Sequence, residues 1–167
     1  MIHAINDFEQ MYNHEIESTG KVFANLTDES LSREFSPNLR SLGRLAWHIT
    51  TTIPEMMGKT GLTIAGPNPE APVPTSASEI ANGYREAASS LIDQIKSGWT
   101  DASMEIEDDM YGEKWKRGMT LQGLIHHEIH HRAEMIVLMR LAGLPVPGLY
   151  GPTQEEWTQY GMEPPAV

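Results

Sequence analysis

The sequence contains no cysteine, few basic residues and no long apolar run, and each absence excludes a class of protein. Without cysteine the chain forms no disulfide, no thiolate nucleophile and no cysteine-ligated zinc site. Twelve Lys and Arg against 23 Asp and Glu give a net charge of −11, which argues against nucleic-acid or anionic-membrane binding, since both demand a basic face. No stretch approaches the roughly 18 apolar residues that span a membrane, and the N-terminus lacks the regions of a signal peptide. We therefore expect a soluble, cytoplasmic protein.

The spacing of the apolar residues predicts helices. The chain of 167 residues is long enough to bury a hydrophobic core without disulfide or metal cross-links, so we expect a single domain over residues 1–167. Apolar side chains recur every three to four residues in four segments, which is the period of one buried helix face. These segments are 5–26, 41–56, 76–98 and 120–143. We predict an all-α four-helix bundle.

The connections between these segments differ in character. Residues 61–75 are rich in glycine and proline, and their length predicts a long crossover along the bundle. Residues 104–107 alternate like a strand and residues 110–115 can return as a small hairpin between the third and fourth helices. Pro54 lies inside the second helical pattern and should kink or loosen its last turns. The tail from Pro145 onward is expected to pack as irregular coil.

Four of the seven histidines fall within His126–His131, inside the predicted fourth helix. Residues four apart share a helix face, so either His127 and His131 or His126 and His130 can aim two imidazoles at one point. Two such imidazoles form half of a transition-metal site. On a helical wheel, His131 lies roughly 80° and His127 roughly 120° from the centre of the apolar arc, whereas the other two fall nearer the opposite side. A metal inside a bundle needs ligands at the edge of the buried face. We therefore predict the pair His127 and His131, with His126 and His130 solvated or in an outer shell.

His48 is the best-placed third ligand among the remaining histidines. It lies on the apolar flank of the second helix, in a segment that is otherwise apolar. Taken alone, it fits a core histidine bonded to a backbone carbonyl; beside a helical pair that needs a partner, it fits a ligand. Three histidines and a water leave one position open, which is typical of catalytic rather than structural zinc.

The segment His127–His131 also matches H-E-x-x-H, the zincin protease signature, in which Glu128 would be the general base. Against this interpretation, no histidine follows His131 and no substrate-binding sheet is predicted. Glu128 and Arg132 lie four residues apart, so an intrahelical ion pair is the simpler account of this glutamate.

Three segments of the chain resemble the DinB-like (YfiT-type) superfamily. They occur in that family's order, and the four-helix plan covers nearly the whole chain. The segments are Ser41–Ile49, His127-x-x-x-His131-Arg132 and Leu141–Pro145.

The resemblance implies a four-helix bundle, often a homodimer, with a divalent metal, zinc or nickel, held by three histidines. Carried over position by position, these are His48, His127 and His131. Many members read His-Arg-Gly-Gln where this chain has His-Arg followed by Ala133 and Glu134.

The resemblance also implies an activity. Characterised relatives include thiol-S-transferases and thiol-dependent isomerases or hydrolases, so we expect a metal-dependent enzyme that transfers a small-molecule thiol to an electrophile. Because the chain has no cysteine, that thiol must be a cosubstrate. The sequence assigns no catalytic residue. Two alternatives stay open: a non-catalytic, metal-binding, stress-associated dimer, and a zincin-like hydrolase. Dimerisation would use exposed helix surface or the aromatic C-terminal coil with Tyr150, Trp157 and Tyr160.

Overall fold

Four long helices, one short helix and a two-stranded hairpin make up the fold. The structure, a computed structural model, describes residues 1–166. The elements are α1 (Ile5–Phe23), α2 (Asp28–Leu31), α3 (Leu42–Gly58), α4 (Ala77–Gly98), β1 (Glu107–Met110), β2 (Glu113–Lys116) and α5 (Arg117–Ala142), with 3₁₀ turns at Asp101–Glu105 and Trp157–Tyr160. The predicted all-α bundle with a small hairpin is confirmed.

The helix ends follow their capping residues. The Ser41 hydroxyl accepts the Arg44 N–H at 3.2 Å, and the Ser76 hydroxyl accepts the Glu79 N–H at 3.4 Å, so α3 and α4 begin where the sequence predicted. α5 ends at Gly143, whose φ of 74° is the left-handed conformation that glycine adopts without strain. α3 continues through Pro54 to Gly58.

Two predicted boundaries are wrong. Thr120 does not begin α5, because β2 leads directly into a helix that starts at Arg117; the Thr120 hydroxyl instead donates to the Lys116 carbonyl at 3.4 Å, inside the helix. The hairpin also begins later than expected, since Met104 is buried within a 3₁₀ turn and the first strand opens at Glu107. Both errors arise where a short apolar alternation competes with tertiary packing.

The long helices pack as a bundle around one apolar cluster. α3 packs against α4 and α5, and α1 packs against the same two helices. The long crossover between α3 and α4 is tied to the bundle by two hydrogen bonds: the Trp47 indole donates to the Ala71 carbonyl at 3.0 Å, and the Ala65 N–H donates to the Ser90 hydroxyl at 2.9 Å. Within residues 1–166, no helix is long and apolar enough to cross a membrane. The α3–α5 contact matters most for function, because it brings His48 to the histidine-rich helix.

Candidate metal centre

Three histidines from two helices converge at the α3–α5 contact. His48 comes from α3, and His127 and His131 come from successive turns of α5. Their ring centroids lie 4.8 Å (His48 to His127), 4.7 Å (His48 to His131) and 4.4 Å (His127 to His131) apart, and Nε2 of His48 lies 3.1 Å from Nε2 of His127. One nitrogen from each ring lies within 4.8 Å of the other two. This group can hold a metal ion.

The protonation of these rings suits metal binding. His131 is buried, and His48 and His127 are half-buried. Burial, followed by the charges of neighbouring groups, lowers the pKa of His48 and of His127 to about 4. Both rings are therefore neutral at pH 7, which is the form of imidazole that coordinates a metal. A close group of three imidazoles from two helices matches the donor set that zinc and nickel accept.

The other two histidines of the run lie outside this group, as the helical wheel predicted. His126 is exposed. His130 keeps 67% of its side chain exposed, although its ring lies 4.9 Å from that of His131 and its Nε2 lies 3.7 Å from a Glu134 oxygen. Neither side chain points its ring toward His48. The pair at positions 127 and 131 converges with His48 because it borders the buried stripe of α5.

Glu134 orients one of the three rings. Its carboxylate lies 2.6 Å from Nδ1 of His131, one helical turn away on α5. The hydrogen bond from His131 lowers the pKa of Glu134, so the carboxylate is ionised and accepts the Nδ1 proton. That tautomer leaves Nε2 of His131 as the nitrogen available to a metal, an arrangement common in zinc proteins. In the sequence, Glu134 stands out only as a departure from the family pattern; its three-residue spacing from His131 is the signal that predicts the contact.

Glu128 lies on a different face of α5 from the converging rings, the face that packs against α1 and α4. It is 2% exposed, and one of its oxygens accepts hydrogen bonds from the Thr19 hydroxyl at 2.6 Å and the Tyr84 hydroxyl at 2.5 Å. The predicted intrahelical ion pair with Arg132 is present at 3.8 Å. Burial raises the pKa of Glu128, against the opposing effects of its two hydroxyl donors. Because this carboxylate is enclosed by α1 and α4, it is not placed to act as the base of a zincin.

Arg132 has a stronger partner than Glu128. Its guanidinium is 1% exposed and forms an ion pair with Glu15 of α1, and it also donates to the Thr19 hydroxyl at 2.9 Å. Tyr150, from the C-terminal segment, donates to the other Glu15 oxygen at 2.5 Å. We refer to Glu15, Thr19, Tyr84, Glu128 and Arg132 as the buried polar network.

Sequence reasoning missed Glu15, which interrupts the apolar stripe of α1. The available signal was Arg132 itself, because an arginine on a buried helix face needs a carboxylate from another element. Two atoms next to the network are buried without a hydrogen-bond partner in residues 1–166: the second oxygen of Glu128 and the hydroxyl of Tyr12.

A cavity opens beside His131, one of the three histidines. It has a volume of about 500 Å³ and is lined by His131 and Glu134 on one side and by Arg40 on another. Its apolar wall includes Leu39, Val137 and Leu141, which are 53%, 59% and 58% exposed. A small molecule in this cavity would therefore lie next to the ring of His131.

Comparison with known proteins places the whole chain in one family. The sequence model of the DinB family matches residues 1–165. The chain is 40% identical over 167 residues to the uncharacterized protein YrdA of Bacillus subtilis strain 168, and the match covers 100% of both chains. It is 45% identical to a DinB-like protein of Bacillus cereus ATCC 10987 whose crystal structure superposes with a TM-score of 0.86, covering 90% of this chain and 100% of that one. A second solved structure, a DinB-like protein of Bacillus subtilis, shares only 22% identity and shows the fold alone, with a TM-score of 0.67 over 85% of this chain and 98% of that one. Three histidines gathered on such a bundle, together with the match over nearly every residue, lead to one conclusion: the chain belongs to the DinB family.

Proposed function

We propose that the protein is a divalent-metal-dependent enzyme that transfers a small-molecule thiol to an electrophilic substrate. The observation that carries this proposal is the convergence of His48, His127 and His131 beside an open cavity. Zinc or nickel is the proposed metal, since both accept imidazole ligands.

The ligand count favours catalysis over a purely structural site. Among the described residues, no fourth histidine or carboxylate joins the group of His48, His127 and His131. Structural zinc sites are closed by four protein ligands, whereas catalytic sites keep one position for water or substrate. A group of three imidazoles, one of which lines a cavity, has the second pattern.

Each residue of the site has a role that its contacts define. A bound metal would supply Lewis acidity and lower the pKa of a thiol or water. Glu134 holds His131 in one orientation through its hydrogen bond to Nδ1. Because the chain has no cysteine, the transferred sulfur belongs to a cosubstrate.

The zincin-like hydrolase loses support from the position of Glu128. Its carboxylate is committed to Thr19, Tyr84 and Arg132 on the buried side of α5. The His127 and His131 pair of that motif would then act without the glutamate that gives the signature its chemistry.

The test begins with metal analysis of protein purified without a polyhistidine tag. The metal-loaded protein is then mixed with a panel of low-molecular-weight thiols and 1-chloro-2,4-dinitrobenzene, and formation of the thioether, with release of chloride and a proton, is followed by absorbance. We expect turnover with at least one thiol, and loss of turnover on metal removal or in His131→Ala. Tight metal binding without turnover across the panel would favour the non-catalytic alternative.

We further propose that the protein forms a homodimer. Tyr150 and Tyr160 of the C-terminal segment each remain 65% exposed, and Met162 remains 51% exposed, which is apolar surface that a second copy can cover. Light scattering at micromolar concentration should give twice the chain mass of 18.6 kDa. A single species of the chain mass would contradict the proposal.

A further inference from the structure

Two arginines stand out because their charges are not used within the fold. Of the 12 Lys and Arg side chains, ten contact a carboxylate, an amide, a carbonyl or an aromatic ring. Within the part of the chain that the structure describes, the side chains of Arg40 and Arg44 have no such partner. In a protein with a net charge of −11, two unpaired cations at one place are unusual.

Both arginines lie near the three histidines. Arg40 directly precedes the cap of α3, Arg44 lies four residues further along and His48 four further still. The side chains of positions 44 and 48 therefore share one face of the helix.

Arg40 also lines the cavity of about 500 Å³ that contains His131 and Glu134. Glu134 lies in the same cavity, where its carboxylate accepts a hydrogen bond from His131, while the Arg40 guanidinium forms no hydrogen bond or ion pair with a described residue. Across the cavity, Leu39, Val137 and Leu141 expose apolar surface. A guanidinium beside an apolar wall is complementary to a molecule with one anionic group and a short apolar body.

We propose that the cavity binds the substrate of the three-histidine site through a carboxylate held by Arg40, with the apolar part of the substrate against Leu39, Val137 and Leu141. This inference rests on the proposed function, because it names the chemical class of the molecule that reacts there. Arg40 is a specificity-determining residue in this scheme: its planar fork matches a carboxylate in a two-bond geometry. Arg44 adds positive potential from the adjacent turn.

The first arm of the test uses metal-free protein and needs no activity. Hexanoate and its neutral isostere hexanamide are titrated into ¹⁵N-labelled protein, and the dissociation constants are obtained from NMR chemical shifts. We expect hexanoate to bind at this cavity more tightly than hexanamide. Arg40→Gln should weaken the binding of hexanoate about fivefold, because it removes one charged hydrogen bond from a solvent-exposed position. The binding of hexanamide should not change. Arg85→Gln, which removes an equal charge from α4, should change neither.

The second arm uses cobalt(II)-loaded protein and two thiols, 6-mercaptohexanoate and 6-mercaptohexanol. Binding of sulfur to cobalt is followed by its charge-transfer absorption. The carboxylate thiol should bind more tightly in the wild type, and Arg40→Gln should remove that preference while leaving 6-mercaptohexanol unaffected.

The two arms separate the two possible failures. If neither thiol alters the cobalt spectrum, the proposed thiol chemistry fails, and the comparison of hexanoate with hexanamide still decides the role of Arg40. If both thiols bind equally and hexanoate binds no better than hexanamide, the carboxylate assignment is overturned while thiol binding at the metal stands. Equal weakening of hexanoate by Arg40→Gln and Arg85→Gln would also overturn it, since the effect would then be one of net charge.

Discussion

The two polar clusters of α5 are built from adjacent residues but are opposite in character. His127 and His131 meet His48, and His131 also lines a cavity. Among the described residues, the ring nitrogens of these three histidines have no partner outside the group except the carboxylate of Glu134. Glu128 and Arg132, each one residue further along, enter the interior and are paired there with groups of α1 and α4. The difference shows how one helix separates binding from stability.

The separation follows from helix geometry. Successive residues are rotated by about 100°, so a repeat of four at 127 and 131 and a repeat of four at 128 and 132 form two parallel rows on different faces. One row borders α3 and the cavity, and the other faces the interior. Substitutions in the two rows should therefore have separable effects, on metal binding in the first and on folding in the second.

The largest effect is expected from His131→Ala. Removing one of three imidazoles should abolish metal binding, whereas the helix stays folded because alanine favours helix and the apolar stripes carry most of the stability. Calorimetric metal titration and far-UV circular dichroism measure the two outcomes. His130→Ala is the matched control, and it should keep its metal, since its ring is exposed. Metal retained by His131→Ala, or lost equally by both variants, would show that the three-histidine assignment is wrong.

Arg132→Met should have the largest effect on folding. It leaves Glu15 buried without its cationic partner, and breaking a buried pair in this way costs about 3–5 kcal/mol in the free energy of unfolding. The control is Arg140→Met, which breaks the exposed pair with Glu155 and should cost about 0–1 kcal/mol. Urea denaturation of both variants measures the difference. Similar small losses in the two variants would mean that the buried polar network does not stabilise the fold as described.

Glu134→Ala removes the carboxylate that is hydrogen-bonded to His131 and so tests its role in orienting that ring. The loss of its hydrogen bond to His131 should weaken metal binding by about 10–100-fold without a comparable loss of stability, because Glu134 is exposed. Glu155→Ala removes the same charge from a remote exposed position and should bind metal as the wild type does. Competition with a chelator gives the affinities. An unchanged affinity in Glu134→Ala would remove its positioning role.

The smallest expected effect is that of Tyr12→Phe, which is compared with the same substitution at a second buried tyrosine, Tyr84. Tyr84→Phe removes a hydroxyl that donates to the Glu128 carboxylate, and it should cost about 1.5–3 kcal/mol in unfolding free energy. Tyr12→Phe removes a hydroxyl that has no hydrogen-bond partner in the described residues, so its cost should be close to zero. Thermal or urea unfolding of the pair compares them directly. An equal cost for both would show that the Tyr12 hydroxyl has a partner in solution, such as a buried water.

The sequence predicted much of the fold because helix signals are local. Apolar spacing, the serine caps at positions 41 and 76 and the glycine at 143 mark helix ends through contacts within a few residues. The start of α5 was placed wrongly because β2 leads into this helix without a loop, and the start of the first strand because a 3₁₀ turn precedes it almost directly. At such a junction, packing against distant residues decides which backbone conformation is adopted.

The sequence by itself determined that His127 and His131 share one face of a helix, because four-residue spacing leaves little freedom in where two side chains point. Only the tertiary structure decided what each row of α5 meets. His48 is separated from His127 by 79 residues, and Glu15 from Arg132 by 117. Contacts over such distances depend on which apolar faces pack together and at what height along the bundle, and these are properties of the whole core rather than of any segment.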